Sequence, residues 1–153
     1  MKPSSLLGLL CLVLSFCACQ KDKAVPTSGS LTFAFESTAY TANDARGFAT
    51  DTTGIGKKVL TIEGITGNLT KHIAITVVFP DTLAVGTYTQ DNGAYILWSP
   101  SLSGGVTSYL SKTATVKITS INSKYAEGTF AGILENGEKE EPLTDGIFKV
   151  NIY

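Results

Sequence analysis

Apolar and polar side chains alternate with period two in short runs through most of this 153-residue chain. Leu31, Phe33 and Phe35 alternate with Thr32 and Ala34, and Ile73, Ile75, Val77 and Phe79 with Ala74, Thr76 and Val78. Lys117 separates Val116 from Ile118, while Lys149 and Asn151 separate Phe148, Val150 and Ile152. Such alternation puts every second residue on one face of an extended strand, and the β-branched and aromatic content suits a half-buried pleat. Turn signals stand between the runs: Gly67-Asn68, Pro80-Asp81, Asn92-Gly93, Gly104-Gly105, Asn122-Ser123 and Asn136-Gly137. The two Asn-Gly pairs suit the positive φ angles of type I′ hairpins. Strands are predicted at 31–36, 45–50, 58–64, 71–79, 86–89, 93–99, 106–110, 113–121, 125–135 and 143–153. No internal repeat is visible, and nothing after Cys19 sustains a helical period. The expected fold is all-β, an antiparallel β-sandwich with a flattened β-barrel as the alternative. The sandwich is preferred because two sheets can share a core without meeting a closure condition.

The first residues follow a different pattern. Lys2 precedes a mainly apolar run, Leu6 to Ala18, of 13 residues, which ends at Cys19 and the polar Gln20-Lys21-Asp22-Lys23. A positive residue before an apolar stretch too short to cross a bilayer predicts a secretory signal peptide over residues 1–18. Its end, Ala18-Cys19, resembles the lipobox of bacterial lipoproteins, in which the cysteine thiol is acylated and the signal is cut just before it. Cys19 is therefore the predicted lipid attachment site. Cys17 is the rival, but Phe16 is too bulky beside a scissile bond that wants a small side chain, and Cys11 lies inside the apolar run. An ordinary signal cleavage wants small residues at two positions, which Phe16-Cys17-Ala18 does not supply. Residues 19–30, mostly polar or small with Val25 as the only sizeable apolar side chain after Cys19, read as a lipidated cysteine and flexible tether, leaving 31–153 as a single domain.

Composition narrows the partners. The chain holds 12 Lys+Arg and 13 Asp+Glu, and loss of Lys2 with the signal leaves a mature side-chain charge of −2. That lacks the basic field nucleic-acid binding needs, so no nucleic-acid partner is expected. All three cysteines lie within the first 19 residues, so neither disulfides nor Cys-ligated zinc are expected in the domain. The expected partners are the membrane, through the lipid, and a protein or glycan; the domain itself is expected to be monomeric.

The runs Leu31-Thr32-Phe33-Ala34-Phe35, Gly86-Thr87-Tyr88, Gly128-Thr129-Phe130 and Asp145-Gly146-Ile147-Phe148 resemble small envelope lipoproteins of the Bacteroidota whose function is unknown. The resemblance covers residues 30–153. It implies an envelope lipoprotein with a β domain of unknown function, and brings no catalytic residue or cofactor with it; the outer membrane is the expected location.

Candidate chemistry is thin. His72 is the sole histidine and falls at a strand start, where a solvated imidazole is the ordinary finding. Thr53-Gly54-Ile55-Gly56-Lys57-Lys58 resembles a phosphate loop superficially, but Asp51 and Lys58 occupy two motif positions and no helix pattern follows. Glu135, Glu138, Glu140 and Glu141 cluster around a predicted hairpin tip without the spacing of a calcium loop, so no metal site is expected. Asp51-Thr52-Thr53 and Asp81-Thr82-Leu83 resemble bacterial O-glycosylation triplets, and Asn68-Leu69-Thr70 matches the N-glycosylation sequon. The aromatic group Tyr88, Tyr95, Trp98 and Tyr109 is the candidate ligand-binding set, because exposed rings on a β domain stack on sugars or anchor a protein. The competing reading places Trp98 in the core. The expected function is a non-enzymatic binding or structural domain at the envelope, with a carbohydrate-binding accessory protein in glycan uptake as the alternative. The tether leaves both the periplasmic and the exterior face of the outer membrane open.

Overall fold

Alternation decides the architecture, because each run must turn its apolar side toward a partner sheet. The computed structural model describes residues 28–52, 54, 56–66, 69–102, 108–137 and 139–153; the predicted signal, Cys19 and most of the tether lie outside the described residues. The first run is β1 (Ser30–Phe35), followed by β2 (Thr38–Ala42), β3 (Arg46–Asp51), β4 (Lys58–Thr66) and β5 (Lys71–Phe79). After β6 (Gly86–Thr89) comes a single 3₁₀ turn (Gln90–Asn92), then β7 (Ala94–Ser99), β8 (Tyr109–Ile121), β9 (Tyr125–Glu135) and β10 (Glu140–Ile152).

Seven of these strands close a ring in the order β3-β4-β5-β7-β8-β9-β10. Two of its joints are short. β10 meets β3 through the parallel pairs Asn151–Arg46 and Ile152–Gly47, and β7 meets β8 through Leu97–Leu110 and Trp98–Tyr109. Beyond these corners β1 and β2 extend the sheet from β10, and β6 extends it from β8. The described residues are all-β as expected, closed like the flattened barrel, with one parallel joint among them in an otherwise antiparallel set. Its interior is filled by side chains: Leu31, Leu60, Ile75, Ile96, Val116 and Phe148 are all buried.

β2 is absent from the sequence reading, and the reason is local. Glu36 and Ser37 form a two-residue hairpin turn with φ of 49° and 61°. Neither residue favours the left-handed region, so the usual Asn-Gly signature is missing. Lys139 ion-pairs with both Glu36 and Glu141, tying this turn to the β9–β10 hairpin. The strands predicted at 106–110 and 113–121 are one strand from Tyr109, kinked by a register shift between Ser111 and Thr113; residues 106 and 107 lie outside the described residues. The domain also begins slightly earlier than residue 31, since the Ala45 N–H donates to the Gly29 carbonyl at 3.2 Å.

The Gly-Thr-Phe and Gly-Ile-Phe segments explain one another. β9 and β10 pair Gly128 with Phe148 and Phe130 with Gly146. A Cβ at Gly146 would lie 2.6 Å from the Phe130 ring, and one at Gly128 would lie 2.8 Å from Phe148. Each phenylalanine thus covers the glycine opposite, and the two rings pack with centroids 6.5 Å apart.

Candidate functional site

The four candidate aromatics do not form a common surface. Trp98 is 0% exposed, and Tyr88 and Tyr109 are each 8% exposed. Trp98 faces inward on β7 and packs edge-on against Phe33 at 4.9 Å, with Tyr40 also 4.9 Å away. Burial of so large a ring outweighs an indole Nε1 that has no hydrogen-bond partner among the described residues. Tyr109 packs against Phe35 in the same cluster. Tyr88 lies apart, against Phe79, and donates its phenol O–H to the Ala84 carbonyl at 3.0 Å; burial raises its pKa. Strand parity separates the fourth ring. Ala94, Ile96 and Trp98 point inward, so Tyr95 points out and is 42% exposed.

Tyr95 borders a cleft of about 480 Å³ lined also by Lys57, Val78, Thr87, Asp91 and Asn92, with Tyr88 in its wall. Register assembles these residues from separate parts of the chain. Lys58 pairs with Phe79, which brings Lys57 beside Pro80, and Thr76 pairs with Tyr95. Gly93 lets the 3₁₀ turn close against β5: its φ is 103°, and a Cβ there would lie 2.8 Å from that of Val78. The Asn92 carboxamide oxygen accepts the Thr89 N–H, which leaves the amide N–H groups for a ligand. Neither Asp91 nor Lys57 has an ion-pair partner among the described residues. The cleft therefore offers a ring face, carboxylate acceptors, and amide and ammonium donors within one opening.

The turn forming this rim is anchored from below. Ser111 is buried; its hydroxyl donates to Gln90 Oε1 at 2.8 Å and accepts the Ile96 N–H at 3.1 Å. Gln90 Nε2 in turn donates to the Ser111 carbonyl at 3.1 Å. Ser111→Ala leaves a buried N–H and a glutamine oxygen without this partner, an expected loss of about 2 kcal/mol visible as a lower urea midpoint. An unchanged midpoint would mean that the turn is held by other contacts. Sequence inspection missed Asp91, Gln90 and Ser111 and met Lys57 only in a superficial phosphate-loop pattern, since the local signal at Asn92-Gly93 said turn.

The remaining motifs take structural places. His72 sits half-buried at the start of β5, opposite Ile65 and Ser99. The loop resembling a phosphate cradle is a hairpin connection: Thr52 N–H donates to the Lys57 carbonyl at 2.8 Å, and Gly56 N–H to the Thr52 carbonyl at 3.3 Å. Glu140 pairs with Lys112 and Glu141 with Lys139, while Glu138 lies outside the described residues. Among the described residues no group of three or more His, Cys, Asp or Glu converges as a metal site. Thr52 uses its hydroxyl to donate to the Lys57 carbonyl, whereas Thr82 is exposed in the bend after β5. Thr53 and Asn68 lie outside the described residues.

A smaller hollow of about 270 Å³ opens on the same outer sheet face, at β3 and β4, lined by Asp44, Arg46, Phe48, Glu63 and Ile65. Tyr153 extends its aromatic surface, with its ring 6.5 Å from Phe48 and the Arg46 guanidinium 6.0 Å away. No family model, curated protein or solved structure matches this chain.

Proposed function

We propose that this chain is an envelope lipoprotein, held in the outer membrane through Cys19, whose barrel is a non-enzymatic binding domain with its recognition site at the Tyr95 cleft. The observation carrying the binding role is the exposed Tyr95 ring beside Asp91, Asn92 and Lys57, in an opening large enough for a small ligand. The anchor rests on the apolar run ending at Ala18-Cys19. Binding rather than catalysis fits a cleft that His72 does not line and glutamates that are engaged in ion pairs at the far hairpin.

A second reading goes further, to a carbohydrate-binding accessory protein in glycan uptake. It is favoured by the pairing of a ring with side-chain amide and carboxylate groups, because a sugar has an apolar ring face and hydroxyls that both donate and accept. Tyr95→Ala is expected to weaken capture of neutral glycans on an array of the detergent-solubilised full chain by about tenfold, with the melting temperature unchanged. Equal capture by the variant would remove the cleft as the recognition site. For the anchor, Cys19→Ser is expected to leave the precursor uncut and without palmitate, since a hydroxyl does not replace the thiol that takes the lipid. Mass spectrometry of the membrane fraction checks this, and a lipid found on Cys17 would reassign the site.

A further inference from the structure

The two sides of the barrel differ in surface chemistry. Outward positions on β8, β9 and β10 carry many charges, among them Lys112, Lys117, Glu127, Glu135, Asp145 and Lys149. The outward positions of β3, β4, β5 and β7 carry Arg46 and Glu63, and otherwise mainly apolar, aromatic and threonine side chains. One cross-strand row on this face runs Phe48–Thr61–Thr76–Tyr95, each residue directly paired with the next. Three strand spacings separate its ends, a distance of about 14 Å. The Tyr95 cleft lies at one end and the Phe48 hollow at the other. Beside the row, Ala74 stands between Glu63 and Leu97 and keeps the floor low.

We infer that this face holds an extended, uncharged oligosaccharide chain in two aromatic subsites, one at Tyr95 and the other at Phe48 and Tyr153, with Thr61 and Thr76 beneath the intervening sugars. The inference rests on the carbohydrate reading of the Tyr95 cleft and adds the length and charge of the ligand. Length follows from the separation of the rings: a single sugar spans one subsite, and only a chain reaches both. The lack of negative charge on the ligand follows from the charges at each end, where Lys57 is balanced by Asp91, and Arg46 is paired with Asp44 while Glu63 adds a further negative charge. Neither end presents an excess of cations that would favour a polyanion. Hydroxyls on Thr61 and Thr76 both donate and accept, as sugar hydroxyls do.

The test is calorimetric titration of the detergent-solubilised full chain with disaccharides and hexasaccharides of the cello, xylo, malto and manno series, with oligogalacturonate as the anionic comparison. For at least one neutral series the hexasaccharide is expected to bind about tenfold more tightly than the disaccharide, the worth of one further stacked ring. Phe48→Ala removes that gain and leaves disaccharide affinity unchanged, whereas Tyr95→Ala weakens both lengths. Tyr153→Ala, at an exposed terminal residue outside β10, is expected to reduce the gain without the risk to folding that a strand substitution carries. If Tyr95→Ala abolishes binding but chain length or Phe48 has no effect, the two-subsite track is wrong and the single cleft stands. Tighter binding of oligogalacturonate would overturn neutrality alone. A panel in which no sugar binds, or a self-associated chain dispersed by Phe48→Ala, would overturn the carbohydrate reading together with the track.

Discussion

Deletion of residues 146–153 is expected to leave the domain unfolded at ambient temperature. The deleted stretch carries Phe148 and Val150, both fully buried, and the half-buried Ile152. It also carries backbone partners of three strands: Ile147 to Lys149 pair with β1, Gly146 to Asn151 with β9, and Asn151 and Ile152 form the ring joint with β3. Burial of Phe148 and Val150 alone is worth about 3–6 kcal/mol. A whole domain is stable by roughly 5–15 kcal/mol, so side-chain loss and broken pairing together exceed what remains. Circular dichroism would lose its strand signal and its cooperative melt. By contrast, deletion of the predicted tether residues 20–27 is expected to leave Tm unchanged. It stops short of Gly29, whose carbonyl is bonded to Ala45. A truncated chain that melts like the full one would show that β10 is dispensable after Asp145, and with it the ring closure.

Gly128→Ala is the second large effect, an expected destabilisation of about 3 kcal/mol. A Cβ there would lie 2.1 Å from the Lys117 carbonyl oxygen and 2.8 Å from the Phe148 ring. The first obstacle is backbone of the neighbouring strand, so no change of rotamer relieves it. β8 and β9 would have to separate at the Ile118–Gly128 pair, which closes their longest unbroken run of pairing. Thr129→Ala, one residue on and facing solvent, is expected to cost about 1 kcal/mol or less. Denaturant midpoints of the two variants decide the matter: similar values would mean that the strands are looser at Gly128 than their register implies.

The two glycine-phenylalanine segments also mark the reach of sequence reading. Gly128, Phe130, Gly146 and Phe148 stood out only as parts of a family resemblance, and their relation to one another emerged only with β9 and β10 paired in antiparallel register. Strand existence was legible because period-two alternation is a local property of a half-buried strand. β5 begins and ends at the predicted residues, and β9 likewise. β2 escaped because its turn uses Glu36 and Ser37 in a conformation held by packing and pairing with the rest of the sheet, and not by their own preference.

The candidate site divides in the same way. Alternation along 94–98 already implies that Tyr95 and Trp98 face opposite sides of β7, so treating them as one cluster ignored the pleat. Tyr88 and Tyr109 are inward for the same reason of parity on β6 and β8. Which side of each strand is the core, however, depends on the sheet it faces. The meeting of Lys57, Asp91, Asn92 and Tyr95 depends on register between β4, β5 and β7 and on the half-buried Gln90–Ser111 anchor. The row from Phe48 to Tyr95 depends on three registers at once.

The sequence by itself determined the all-β class, the positions of most strands, the apolar run that ends at Ala18, and the absence of cysteine from the domain, because each is written in local composition or period. Tertiary structure alone decided that the ring closes through two short joints, that Trp98 is core while Tyr95 is surface, and that two aromatic hollows share one sheet face. These depend on pairing between residues far apart in the chain, and a one-residue slip in register would move every side chain of a strand to the other face.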